Sequence, residues 1–119
     1  MSKILISITH GADDADRATV GFVLAGAAVA SEQETTVFLS TEGVRLAEPG
    51  VADGLHEEGF APLKELMASF LENGGQILVC SPCAKKRGIT EDKLVSGATI
   101  VGGARVIELM ASGAQTLTY

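Results

Sequence analysis

Three short runs of β-branched and aliphatic residues, Lys3 to Thr9 (KILISIT), Thr35 to Ser40 (TTVFLS) and Gln76 to Cys80 (QILVC), are separated by stretches with helical spacing. That alternation constrains the chain most. Runs so continuously apolar read as strands covered on both faces, and strands joined through helices pair in parallel by right-handed crossovers. Asp13 to Ala30 predicts the first helix, opening on Asp13, Asp14 and Asp16, whose charge suits a helix N-terminus. The second starts with Pro62 at its first helical position. Leu63, Leu66, Met67, Phe70 and Leu71 form its apolar face, and Asn73-Gly74-Gly75 stops it.

Beyond the third strand, Thr90 reads as a cap, Ala98 to Val101 as a fourth strand and Thr116 to Tyr119 as a terminal strand. Between these two strands, Val106, Ile107, Met110 and Ala111 share a helical face opposite Arg105 and Glu108, and Gly113 closes the helix. Glu42 to Ala61 is the least regular segment, with one short helix expected around Val44 to Ala47. The expectation is a single three-layer α/β/α domain over residues 1–119, with a mostly parallel five-stranded sheet. Ligands of such a fold bind at the C-terminal ends of its strands.

Composition removes several function classes. Nine Lys and Arg against fifteen Asp and Glu give a formal charge of −6, the wrong sign for a phosphate backbone, and aromatic residues are only 4% of the chain, too few for base-stacking platforms. Nucleic acid is therefore not an expected partner. The apolar run Val20 to Ala30 is far short of the ~20 residues a bilayer crossing needs, so a membrane is not expected either. No secretory signal is visible after Lys3, and a cytoplasmic protein is expected.

Two loops at strand ends carry unusual residues: His10-Gly-Ala-Asp-Asp after the first strand, and Cys80-Ser-Pro-Cys-Ala-Lys-Lys-Arg-Gly after the third. A disulfide closing so small a loop would staple nothing, so the thiols are read as chemical rather than structural. A thiol becomes a thiolate near neutral pH with help from a helix N-terminus and nearby cations. Pro82 suits a first helical turn, Cys80 would stand at its start, and Lys85, Lys86 and Arg87 add positive charge. The expectation is a Cys80 pKa below the ordinary value, with Cys80 labelled ahead of Cys83. A plainer reading leaves Cys80 as a small hydrophobe ending a buried strand, with the lysines solvated.

One CxxC is shared by redox, metal and sulfur-carrier chemistries. A structural zinc site needs four ligands, and only His10 and His56 could join the cysteines, without the spacing that would mark them. No metal or cofactor is expected. A thioredoxin-type site opens a long helix early in its domain, whereas this motif follows the third strand and its helix stops by Gly88, so dithiol redox is the secondary reading. Asp13, Asp14 and Asp16 read equally as helix capping and His10 as a turn residue. The receiver-type acidic site lacks its third-strand Asp, and there is neither a GxxxxGK[ST] nor a GxGxxG phosphate loop.

These residues resemble the DsrE/DsrF-like sulfur-relay family, small α/β proteins that include the DsrE, TusD and YchN groups. The likeness spans nearly the whole chain. It rests on Thr9-His10-Gly11 with Asp13-Asp14, on Phe38-Leu39 with Glu42-Gly43-Val44, and on Cys80-x-x-Cys83-x-x-x-Arg87-Gly88-Ile89. The resemblance implies that Cys80 holds the place of the persulfide-carrying cysteine, and that Cys83 matches a second cysteine of some members. It implies a homo-oligomer, trimeric or hexameric, or a hetero-assembly, with sulfur donor and acceptor proteins as partners.

The resulting expectation is a sulfur-transfer protein with Cys80 as nucleophile and carrier and Cys83 as a resolving or accessory thiol. Arg87, Lys85 and Lys86 stabilise the thiolate, and His10 and Asp13 line the neighbouring loop, close to Cys80. The small-residue surface of the first helix, Gly21 to Ala28, is the expected association surface. The competing reading is an oligomeric, non-catalytic module that binds a small ligand at its strand ends, with incidental cysteines.

Overall fold

The computed structural model describes residues 2–119. Five strands, β1 (Lys3–Ile8), β2 (Glu34–Leu39), β3 (Gln76–Cys80), β4 (Ala98–Val101) and β5 (Gln115–Thr118), form one sheet in the order β4-β3-β2-β1-β5. Every pairing is parallel, so the expected mostly parallel sheet is wholly so. The helices are α1 (Ala15–Ala30), α2 (Leu63–Glu72), α3 (Ser81–Lys86) and α4 (Gly103–Ala111), with 3-10 turns at Ala12–Asp14, Thr41–Ala47, Ala52–Gly54 and Glu91–Lys93.

Two helix starts differ from expectation by local chemistry. Asp14 caps α1 by accepting the Arg17 N–H at 3.1 Å, which leaves Asp13 in the preceding turn. Pro62 has an extended ψ of 140° and sits just outside α2 instead of inside it. The irregular region contains a longer 3-10 turn than Val44 to Ala47, beginning at Thr41.

Alternation along the strands separates the two faces of the sheet. Ile6, Ile8, Val37, Leu39, Ile77 and Val79 point into the main core with α1 and α2, where Phe22 and Phe70 meet edge to face at 6.0 Å between ring centroids. Leu5, Thr36 and Leu78 face the other way and are buried, with Leu109 of α4 over Leu5 and Thr36. The chain advances from β1 to β4 through α1, α2 and α3, then α4 returns it across the sheet to β5. Right-handed crossovers therefore put α4 on the face opposite α1 and α2, completing three layers.

The fourth helix settles a direction that its spacing leaves open. Ile107 is 63% exposed and Met110 46%, while Arg105, Glu108 and Ser112 line a polar cleft of about 550 Å³ beside Lys3 and Glu34. Its apolar stripe looks outward. Of the small residues expected to form an association surface on α1, Gly21 faces inward, since a Cβ there would lie 2.6 Å from Ile8 Cδ1, whereas a Cβ on Gly26 would meet nothing within 4 Å. Among the described residues, no helix is long and apolar enough to cross a membrane.

Candidate functional site: a thiol pair at the β3–α3 junction

Cys80 ends β3 and stands immediately before α3, with Pro82 in the helix's first turn. Cys83 is three residues further on, a spacing that brings both side chains to one side of the turn. Both are free thiols, partly buried, and close enough that the ionisation of each depends on the other. What holds α3 in place is its end. Gly88 takes a φ of +70°, open to glycine without strain, and lets the Gly88 and Ile89 N–H groups bond the carbonyls of Lys85 and Ala84. Ile89 is thereby buried, and Arg87 turns back over the helix.

Arg87 has a side chain only 14% exposed and makes two anchoring contacts. Its Nη1 donates to the Cys83 carbonyl at 3.1 Å, and its Nε donates to Glu42 Oε2. Glu42 also accepts from Arg45 Nε at 3.0 Å, and Arg45 reaches Glu48 at 3.3 Å. The Arg87 hydrogen bond, aided by Arg45 and opposed by burial, holds the Glu42 carboxyl below the usual carboxylate range.

The order of acidity in the thiol pair reverses the expectation. Burial is the strongest influence on Cys80 and pushes its thiol up; donation of its S–H to Cys83 and the like charge there add to this, against the Cys83 N–H and Arg87. Burial opposes ionisation of Cys83 as well. There the Cys80 S–H, the Thr41 backbone N–H and Arg87 together outweigh it, and Cys83 falls below the ordinary thiol value. The α3 helix has six residues, too short for a strong terminal dipole. Of the three basic residues expected to act on the pair, Arg87 favours the charged form of both thiols, and Lys85 and Lys86 are exposed at the far end of α3.

His10 and Asp13 form a unit of their own. His10 Nδ1 lies 3.0 Å from Asp13 Oδ2, and Asp13 Oδ1 accepts the Gly11 N–H at 2.8 Å. Burial would raise the Asp13 carboxyl, but the bonds from His10 and Gly11 outweigh it and hold it low. Because β2 separates β1 from β3, Thr9 and Cys80 stand two strand spacings apart, about 10 Å. The two expected loops are bridged by a third, Thr41 to Gly43. The Thr41 hydroxyl and the Gly43 N–H bond the Thr9 carbonyl, while Glu42 holds Arg87. Thr41 was not singled out by the sequence, and Glu42 entered only through the motif Glu42-Gly43-Val44. His56 is elsewhere, with its Nε2 2.7 Å from the Phe60 carbonyl oxygen.

An all-parallel α/β sheet with a half-buried thiol pair at a strand end defines a class of small thiol-bearing α/β proteins. The family model of the DsrE/DsrF-like family matches residues 2–119, and the chain belongs to that family. An uncharacterized protein of Methanocaldococcus jannaschii, MJ0760, is 30% identical over 93% of this chain, which spans 40% of that relative's length. A second protein of that organism, MJ0989, is 26% identical over 98% of this chain and 99% of its own. The ychN protein from E. coli has the same fold, with a TM-score of 0.83, 19% identity and full coverage of both chains. MTH1491 from Methanobacterium thermoautotrophicum follows at a TM-score of 0.71 and 14% identity, also over both full chains.

Proposed function

We propose that this chain is a sulfur-transfer protein that carries a persulfide on Cys80, with Cys83 as its proton acceptor and resolving thiol. The observation that carries the reading is the pair of free, partly buried thiols at the end of β3 and in the first turn of α3, with Arg87 held against the Cys83 carbonyl. Family membership supports a sulfur-relay role.

In the loading step, Cys80 sulfur attacks the outer sulfur of a donor persulfide, R–S–SH, as its proton passes to Cys83. The donor's S–S bond breaks, R–S⁻ leaves and takes back a proton, and Cys80–S–SH remains, so one sulfane sulfur has changed carrier without net oxidation. An acceptor thiolate removes that sulfur by the same attack. Alternatively, Cys83 attacks the Cys80 sulfur of the persulfide, which expels HS⁻ and leaves a Cys80–Cys83 disulfide for an external dithiol to reduce. That branch is the dithiol redox reading of the same residues. His10, oriented by Asp13, serves donor or acceptor groups at the rim as a proton relay.

The protein acts as a homo-oligomer, trimeric or hexameric by family resemblance, with donor and acceptor proteins as transient partners. The outward Ile107 and Met110 of α4 support association through that helix. The cytoplasm, where thiols stay reduced, is the proposed setting.

The test is cyanolysis of the protein after incubation with a small-molecule persulfide and removal of excess donor. Thiocyanate stoichiometric with wild-type chains, and lost in Cys80→Ser, is the expected result. Equal background release from both proteins overturns the reading in favour of a binding module.

A further inference from the structure

We infer that the free edge of β5 is a two-fold interface, pairing antiparallel with β5 of a second copy of this chain. β5 is the outermost strand, paired with β1 on one side and, among the described residues, with no strand on the other. All four of its residues, Gln115 to Thr118, are exposed, and Leu117 keeps 48% of its surface open. Sheet edges are ordinarily blunted by a charge, a proline or a bulge. This strand has no charged residue and no proline, and its register with β1 runs one to one from Gln115 to Thr118.

The direction of the backbone groups selects the occupant. Tyr119 donates its N–H to the Ser7 carbonyl and accepts the Thr9 N–H, both at 2.7 Å, so by alternation Gln115 and Leu117 also turn their N–H and carbonyl groups toward β1. Thr116 and Thr118 therefore present theirs outward, without partners in the sheet. With a two-fold axis at Leu117, Thr116 of each copy faces Thr118 of the other, and each such pair exchanges both of its hydrogen bonds. Within β5, no other antiparallel register pairs all of these groups. Leu117 then meets its own mate in the narrow, non-hydrogen-bonded position, on the sheet face it shares with Ile6, and its exposed side chain is covered. Because β1 and β2 stand between β5 and β3, the pairing leaves both thiol rims open. It is separate from the outward stripe of α4 and independent of the sulfur chemistry proposed above.

Cross-linking tests the axis. In the full chain carrying Cys80→Ser and Cys83→Ser, either Leu117→Cys or Gln115→Cys is added, and disulfide formation under mild oxidation is followed on non-reducing gels. A non-hydrogen-bonded pair holds its Cα atoms about 4.5 Å apart, within disulfide reach, whereas the same axis places Gln115 four residues, about 14 Å, from its mate. Leu117→Cys should run chiefly as a covalent dimer and Gln115→Cys chiefly as a single chain. Thr118→Pro in the otherwise wild-type chain removes an outward N–H and no bond to β1, and should halve the wild-type mass in sedimentation equilibrium. Absence of the Leu117→Cys dimer, equal cross-linking at both positions, or an unchanged mass in the folded Thr118→Pro protein overturns the inference.

Discussion

Arg87 and Glu42, 45 residues apart in sequence, form the ion pair that fastens the helix after β3 to the turn after β2. Their union explains why the motif containing Arg87 and the motif containing Glu42 belong to one site. It also makes the site sensitive to acid. A carboxyl held below its ordinary value contributes stability above that value, and the contribution disappears as pH falls through the depressed one. The gap in melting temperature between wild type and Glu42→Gln should therefore be present at pH 7 and close as pH falls below about 4.5, the reference value for glutamate. Thermal melts across that range check it, and a gap independent of pH contradicts it.

The thiol pair predicts its own order of reaction. With Cys83 below and Cys80 above the ordinary thiol value, alkylation between neutrality and pH 9 should label Cys83 first. Cys80→Ala removes an S–H donor and should move Cys83 titration up, whereas Cys83→Ala removes a like charge and should bring Cys80 down. Peptide-resolved labelling reads both shifts. Faster labelling of Cys80 in wild type would restore the order expected from the short helix and its lysines.

Gly43→Ala should damage stability and site together, because the added Cβ meets the Ile8 backbone rather than a movable side-chain end. A loss of about 1–3 kcal/mol is expected from such overpacking. Phe70→Ala, in the core beneath α2 and away from the thiols, should cost about 3–5 kcal/mol while leaving the order of thiol labelling unchanged. Denaturant melts with labelling of the folded proteins separate the two effects. A Gly43→Ala protein of wild-type stability would contradict the close approach.

The strands were legible because Ile4 to Ile8, Thr35 to Leu39 and Ile77 to Val79 are apolar runs too short for helices and too continuous for exposed strands. The Cys80–Arg87 motif was legible through its residue types. The direction faced by α4 was not, since spacing shows that Val106, Ile107 and Met110 share a side but cannot say whether that side meets the sheet. Thr41 was hidden for a different reason: it joins the loops through a positive φ and a hydroxyl bonded to backbone carbonyls, which no side-chain pattern records. The acidity order depends on burial and on the contact between the two thiols, both set only when the chain folds.

The outward apolar stripe predicts association through α4. Sedimentation equilibrium at micromolar concentration should show wild type heavier than a single chain and Ile107→Glu/Met110→Glu shifted toward the monomer. A wild-type monomer would leave each site within one chain.

Intact-mass spectrometry after exposure to a persulfide donor, followed by peptide mapping without reductant, tests the sulfur-carrier account most directly. Wild type should gain one sulfur atom on Cys80, Cys83→Ser should gain it there more slowly, and Cys80→Ser should gain none. Added sulfur on Cys83, or none on either cysteine, would contradict it.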